Sequence, residues 1–269
     1  QVEITRVDAR ESFLAGLESN GKIVRRTVNV PYCARCGTFL PDRFITGRCP
    51  FCRDVTYGGQ CSNKKTCGKI LDSLDGGACA LCGGAYELRP REHLTIDVAP
   101  YRAAVLPHIS SDRHHQAEVR RRVREGFDMP AVALTRDTAW GIAAPGSGAE
   151  QSVYSWVDSL LGKLSHLAML GPEAERDYWQ DPDARRLFFL GMDGAVFYGA
   201  LLPSMLLAAD KGYSVSNWTI LPNEVLIYEG GVCSKSSGTG IWLQEALAVL
   251  EGDLWRFYVF YNYATSAKD

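Results

Sequence analysis

The chain has 269 residues, a length that suits one large domain or two lobes. Its content of 46% hydrophobic and 22% charged residues is that of a globular protein and excludes a disordered or fibrous one. No apolar run reaches the ~18 residues of a membrane helix, and a net charge of −2 gives no overall attraction to nucleic acid. The first residues show no signal-peptide pattern, so the expectation is a cytoplasmic protein without membrane contact. Gln1 stands where a methionine would begin a complete chain, which implies processing or a longer polypeptide.

In chain order, residues 1–30 read as a helix, around "ESFLAGLESNGKI", and a short strand. Residues 31–90 hold eight of the nine cysteines, as Cys33-x2-Cys36, Cys49-x2-Cys52, Cys61-x5-Cys67 and Cys79-x2-Cys82. Two thiolates separated by two residues can curl round one ion, and two such pairs complete a tetrahedral sulfur shell that suits Zn2+. Eight ligands imply two zinc ions, and a closed shell assigns them to folding, not catalysis. Glycine follows several of the pairs (Gly37, Gly68, Gly83), as tight turns require.

Residues 91–130 look helical and polar; their basic run "RRRVRE" at 120–125 reads as a solvated helix face. "VALTRDTAWGIAAPGSG" at 132–148 is a strand entering a Pro/Gly turn, and 152–170 has helical spacing of apolar residues. "RRLFFLGMD" at 185–193 reads as a buried strand of the parallel type. A buried helix kinked at Pro203 follows at 195–210, then extended segments at 216–231 and helices at 241–250 and 252–262. The alternation predicts half of a doubly wound α/β sheet, whose ligands sit at the carboxyl ends of strands. "LGMD" and the loop "GGVCSKSSGTG" at 230–240 both follow strands. By itself that loop is either an ordinary turn or a mobile segment that sets one ammonium against a polyphosphate.

In this order, "YCARCGTFLPDRFITGRCPFC", "TRDTAWGI", "SVYSWVDSLLGKL", "FFLGMD" and "YEGGVCSKSSGTGIW" resemble the methionyl-tRNA synthetases, in their archaeal and eukaryotic two-knuckle form. The resemblance implies a class I, Rossmann-type α/β catalytic domain with a zinc-knuckle insertion. The parts would be the end of a first nucleotide-fold half at 1–30, the insertion at 31–90, the second half with its phosphate loop at 91–240, and carboxyl-terminal helices at 241–269. It implies ATP with Mg2+ and an amino acid as substrates, giving an aminoacyl-adenylate. It nests the metal ligands: Cys33, Cys36, Cys79 and Cys82 on one zinc, and Cys49, Cys52, Cys61 and Cys67 on the other. Lys235, flanked by Ser234 and Ser236, matches the second lysine of the family's phosphate loop, where an ammonium stabilises departing pyrophosphate. Gly191 and Asp193 match a Gly-x-Asp ribose-binding element. Asp193 also reads as a helix N-cap. Trp156 belongs to the amino-acid pocket.

Other positions depart from the family. Val232 replaces the loop's first lysine, and Cys233 stands for its Met or Phe. The pocket's proline, tyrosine and histidine become Leu160, Lys163 and Tyr198. An unpaired ammonium is costly in an apolar pocket, so Lys163 implies either a polar substrate or a side chain turned to solvent. The family's His-Ile-Gly-His motif is absent; "PHIS" at 107–110 follows the insertion and is not its equivalent. The chain ends before an anticodon-binding domain, so tRNA is not an expected partner. These features favour a tRNA-independent paralogue that activates another amino acid, such as the synthetase-like part of a cupin-linked hydrazine synthetase. A second amino acid or a cupin-type partner would then take part. The alternatives are a fragment of a genuine methionyl-tRNA synthetase and a non-catalytic zinc-stabilised scaffold.

Overall fold

The computed structural model describes residues 2–63, 66–71, 73–129, 131–146, 150–233 and 238–263. The helix Val2–Ser19 opens it and buries Phe13, Leu14 and Leu17, the i, i+1, i+4 stripe that faces a core. It stops at Gly21, whose φ of 65° suits glycine, where Lys22 N–H returns to the Leu17 carbonyl at 2.9 Å. Arg10 ties the helix to Asp158 of the helix Ser155–Ala168 at 2.6 Å.

The strand that follows is not short. Ile23–Cys33 pairs antiparallel with Glu87–Ile96 from Ile23↔Ile96 to Tyr32↔Glu87. This ribbon carries the chain out to the cysteine segment and back. Residues 91–96 are therefore strand; of the helix read for this region, short turns of 3-10 and α-helix cover Ala99–His108 and the one long helix is Gln116–Phe127. The sequence hid the strand because its first half, Glu87–Glu92, is mostly charged and holds Pro90, a residue that argues against a strand, which leaves only the short alternation His93, Leu94, Thr95, Ile96, all four buried. Thr38–Phe39 and Val132–Ala133 complete the sheet on its two edges.

Beyond the ribbon, a three-stranded sheet of Val55–Tyr57, Ile45–Arg48 and Asp75–Cys79 and a two-stranded one of Gly59–Gln60 and Ile70–Leu71 make up the cysteine segment.

The parallel sheet is formed by Ile109–Ser110, Trp218–Asn223 and Arg186–Gly191, in that spatial order. Arg186–Gly191 is parallel, as read, but it is covered on one face only. Phe188 stacks on the fully buried Trp218 at 4.7 Å, whereas Phe189 is 75% exposed. Buried Arg186 anchors the strand start by donating to the carbonyls of Trp179, Asp181, Ala184 and Ser216.

Over the inner face, the helix Gln116–Phe127 crosses the buried segment that follows Asp193. A Cβ on Gly126 would meet Ala200 at 2.9 Å, and one on Gly199 would meet Val123 at 2.3 Å, so both positions need glycine. In that segment Pro203 does not kink a regular helix. A wide π-type turn at Phe197–Leu201 precedes Leu202–Ala208, and proline sits in the first turn of the latter, where its missing N–H costs little. The helices Leu243–Val249 and Gly252–Tyr261 end the described chain, joined by Trp255 Nε1 donating to the Ala246 carbonyl at 2.8 Å. No described helix is long and apolar enough to cross a membrane.

Candidate nucleotide and metal sites

The eight clustered cysteines form two groups, Cys33/Cys36/Cys79/Cys82 and Cys49/Cys52/Cys61/Cys67, with the sulfurs of each group within 4.8 Å of one another. The pairs Cys33–Cys82, Cys36–Cys79, Cys49–Cys67 and Cys52–Cys61 stand 3.6, 3.9, 3.8 and 3.6 Å apart. Zinc–sulfur bonds of about 2.3 Å arranged tetrahedrally place sulfurs about 3.8 Å apart, so both groups fit the ion. All eight are free thiols. The turns are those expected: Gly37 N–H donates to the Cys33 carbonyl at 2.9 Å and Gly83 N–H to that of Cys79 at 2.8 Å, both at positive φ. Arg53 makes the same turn after Cys52 without being glycine, at φ 67°. The Cys36 N–H draws the Cys33 thiol down to about 7, while the hydrogen bond with Cys82 pushes Cys36 up to about 12. Crowded thiols divide their protons unequally, whereas a bound metal lets all four ionise.

Gly191 and Asp193 lie where the strand Arg186–Gly191 ends and a short 3-10 turn, Met192–Gly194, begins. A Cβ on Gly191 would sit 2.6 Å from Asp193 Oδ1, so glycine lets the carboxylate fold back over the strand end. Asp193 does not act as a side-chain N-cap of that turn, whose cap position is Gly191. From the cysteine segment, Gln60 Nε2 donates to the Asp193 carbonyl at 3.1 Å.

Trp156 is half-buried and stacks face to face on Phe197, with ring centres 4.3 Å apart and planes 4° from parallel. Leu160, one helical turn on, is fully buried. Tyr198 is buried against Phe188 at 5.4 Å, and its carbonyl accepts from Trp218 Nε1 at 2.9 Å. Lys163 is exposed on the same helix as Trp156, so its ammonium needs no buried partner. None of these four lines the adjoining cavity of about 490 Å³. That cavity lies between the ribbon, the cysteine segment and the core, and Asp42, His93, Arg136, Tyr154 and Phe197 are among its walls.

The stretch "TRDTAWGI" holds two charged residues that join the ribbon, the cysteine segment and the core. Arg136 lies over the Tyr154 ring at 3.6 Å and donates to Asp42 of the cysteine segment at 3.1 Å. Asp137 accepts from Arg91 at 3.0 Å and Gln151 at 2.9 Å, and lies 3.0 Å from His93 Nε2, whose Nδ1 meets Thr135 Oγ1 at 2.8 Å. Burial pushes the Asp137 carboxyl up, but His93, Gln151 and Arg91 outweigh it and hold the carboxyl below the ordinary range. The signal available was the charged pair inside an otherwise apolar strand pattern.

The phosphate-loop residues Ser234, Lys235 and Ser236 lie outside the described residues. What precedes them is a tight hairpin, Ile227–Tyr228 against Gly231–Val232, turned by Glu229 and Gly230 at φ 49° and 78°. Positive φ at both central residues is the twist-compatible turn of two-residue hairpins. Cys233, exposed, follows directly.

Residues 3–269 match the family model described as tRNA synthetases class I (M). The methionine–tRNA ligase of Pyrobaculum calidifontis is 38% identical over 270 residues, covering 96% of this chain and 46% of the relative. That of Thermofilum pendens is 36% identical over 266 residues, covering 94% and 46%. The chain thus spans about half the length of the curated relatives it matches. Among solved structures, Mycobacterium tuberculosis methionyl-tRNA synthetase bound by methionyl-adenylate superposes with a TM-score of 0.62 at 16% identity, over 95% of this chain and 45% of that one. This likeness speaks for the fold. The hydrazine-synthetase parallel and the cupin partner gain no support from these relatives. Taken with the strand-end Gly-x-Asp turn and the paired four-sulfur groups, the match over nearly the whole length shows that the chain belongs to the methionyl class I tRNA synthetase family.

Proposed function

We propose that the chain is the metal-bearing second half of a catalytic domain that activates methionine with ATP, within a longer methionyl-tRNA synthetase. The observation that carries this reading is the Gly191-x-Asp193 turn at the carboxyl end of a parallel strand, where α/β sheets bind nucleotides. The relatives' identity over the same span supports the choice of methionine.

In this reading one carboxylate oxygen of the amino acid attacks the α-phosphorus of ATP. The bond to the bridging oxygen breaks, and pyrophosphate leaves with its electron pair. Asp193 accepts hydrogen bonds from the ribose hydroxyls. Lys235 brings an ammonium, and Ser234 and Ser236 bring hydroxyl donors, to the pyrophosphate as charge builds on it. Phe197 lines the cavity and Trp156 stacks on it, offering an aromatic surface to the substrate side chain, while buried Leu160 and Tyr198 belong to the core behind. Two zinc ions, one per four-sulfur group, supply cross-linking of the insertion and no step of the reaction.

A second reading, activation of a different amino acid, draws on Leu160, Lys163 and Tyr198, where the family carries proline, tyrosine and histidine. Amino-acid-dependent exchange of pyrophosphate into ATP, measured on the full-length protein with a panel of amino acids, decides between them. The expected result is exchange with methionine, lowered about a hundredfold or more by Lys235→Ala at unchanged zinc content. Exchange with another amino acid alone establishes the second reading. No exchange with any amino acid defeats both.

A further inference from the structure

Gln60 occupies a junction that neither the metal sites nor the nucleotide reading uses. It ends the two-residue strand Gly59–Gln60, which pairs with Ile70–Leu71, and it immediately precedes Cys61. Its single Nε2 donates twice: to the Gly68 carbonyl at 3.0 Å and to the Asp193 carbonyl at 3.1 Å. A carboxamide nitrogen carries two protons, so both are spent here. One bond holds the residue after Cys67. The other crosses 133 positions of sequence to the acid of the Gly-x-Asp turn. Gln60 and Gly68 therefore flank two ligands of the same group, Cys61 and Cys67.

The receiving turn has little slack. Gly191 has no room for a Cβ beside the Asp193 carboxylate, a Cβ on Gly194 would lie 3.2 Å from Leu190, and the Ala195 N–H closes the turn on the Met192 carbonyl. A tie to the Asp193 backbone thus constrains where the carboxylate stands. The residue type matters as well. Glutamate has the same length but presents oxygen to two carbonyl oxygens, and asparagine is one methylene too short to reach both.

We propose that Gln60 is a positioning residue that couples the Cys49/Cys52/Cys61/Cys67 metal site to the Gly-x-Asp turn, so that loading that site sets the Asp193 carboxylate. The consequence for catalysis rests on the proposed nucleotide role of Asp193; the coupling itself does not. Amide hydrogen exchange on the zinc-loaded full chain tests the coupling without any activity. In Gln60→Ala and Gln60→Glu, exchange over residues 191–196 should run about three- to tenfold faster, the weight of one hydrogen bond. Zinc content and protection of the strand 186–190 should stay unchanged. Should Gln60→Ala itself shed metal, chelation of the wild-type chain gives the same reading, since 191–196 must then loosen by a similar factor. Unchanged protection at 191–196, in the variants or on chelation, overturns the coupling. In the full-length enzyme, pyrophosphate exchange should show a KM for ATP raised by about the same factor, with kcat little altered. An inactive wild type removes the nucleotide reading and leaves the hydrogen-exchange result to decide the coupling. An active one whose ATP KM is indifferent to Gln60 removes the positioning role.

Discussion

The cysteine segment and the parallel-sheet core lie side by side and are stabilised by opposite means. Of the nine buried residues in the segment's cluster, five are cysteines; Leu40, Ile45, Leu71 and Leu74 complete it. Such a cluster removes too little apolar surface to order some sixty residues unaided, at roughly 25 cal/mol per Å². The core buries a continuous set that includes Trp218, Phe127, Leu94, Leu160 and Leu161, each at 2% exposure or less. In one region, metal–sulfur bonds stand in for apolar area; in the other, close packing suffices. The two communicate through a few polar contacts, Gln60 to Asp193 and Asp42 to Arg136 among them.

The strongest way to break the contrast is to remove the metal. Structural zinc in small domains is worth about 10–16 kcal/mol of apparent binding energy, and here that energy is folding energy. Chelation is expected to abolish hydrogen-exchange protection across 31–86 and leave the core folded. Tryptophan fluorescence carries no signal from the insertion, because all six tryptophans (140, 156, 179, 218, 242 and 255) lie outside it, and buried Trp179 and Trp218 report the core. An unshifted emission maximum after full chelation is the expected outcome. A red shift coincident with metal loss would show that the core also depends on the ions.

The converse perturbation attacks packing. Trp218 is fully buried between Phe188 and Trp179 and donates to the Tyr198 carbonyl. Trp218→Ala is expected to cost about 3–5 kcal/mol by urea or thermal unfolding, with zinc content unchanged. Trp218→Phe keeps most of the volume, leaves that carbonyl unpaired and should cost about 1–3 kcal/mol. Loss of zinc from either variant under folding conditions would merge the two regions into one cooperative unit.

The same contrast explains what the sequence made legible. Cysteine spacing is a short-range signal, so the close pairs and two ions could be read from the residue string, as could the amphipathic helix at 155–168, whereas which pairs share an ion came only from the family resemblance. The ribbon was not, because Glu87–Glu92 is mostly charged and holds Pro90, so that only His93, Leu94, Thr95 and Ile96 carry a strand-like alternation. Leu187 and Phe189 read as core, yet they point away from the covered face of their strand. Nothing local distinguishes the two faces of an apolar strand; that depends on what packs against each. Gly191 and Asp193 were found by pattern, but Gln60, which ties Asp193 from 133 positions away, has no local signature at all.

Acid offers the subtlest test of the division. Asp137, with its side chain 7% exposed, is held by Arg91, Gln151 and His93, and its carboxyl lies below the ordinary range. A depressed folded value means the stabilisation is fully present above the unfolded value of about 4 and is lost as pH falls through the folded one. Asp137→Asn should therefore cost about 1–3 kcal/mol at neutral pH, and the two unfolding curves should converge below about pH 4. The insertion should respond earlier in the same titration, because protons compete with zinc for thiolates well above that range. Two separate acid steps are expected, zinc release first and core unfolding second, with only the second altered in Asp137→Asn. A single step in which metal and core structure vanish together would mean that the ribbon linking the regions, where His93 sits, transmits unfolding from one to the other.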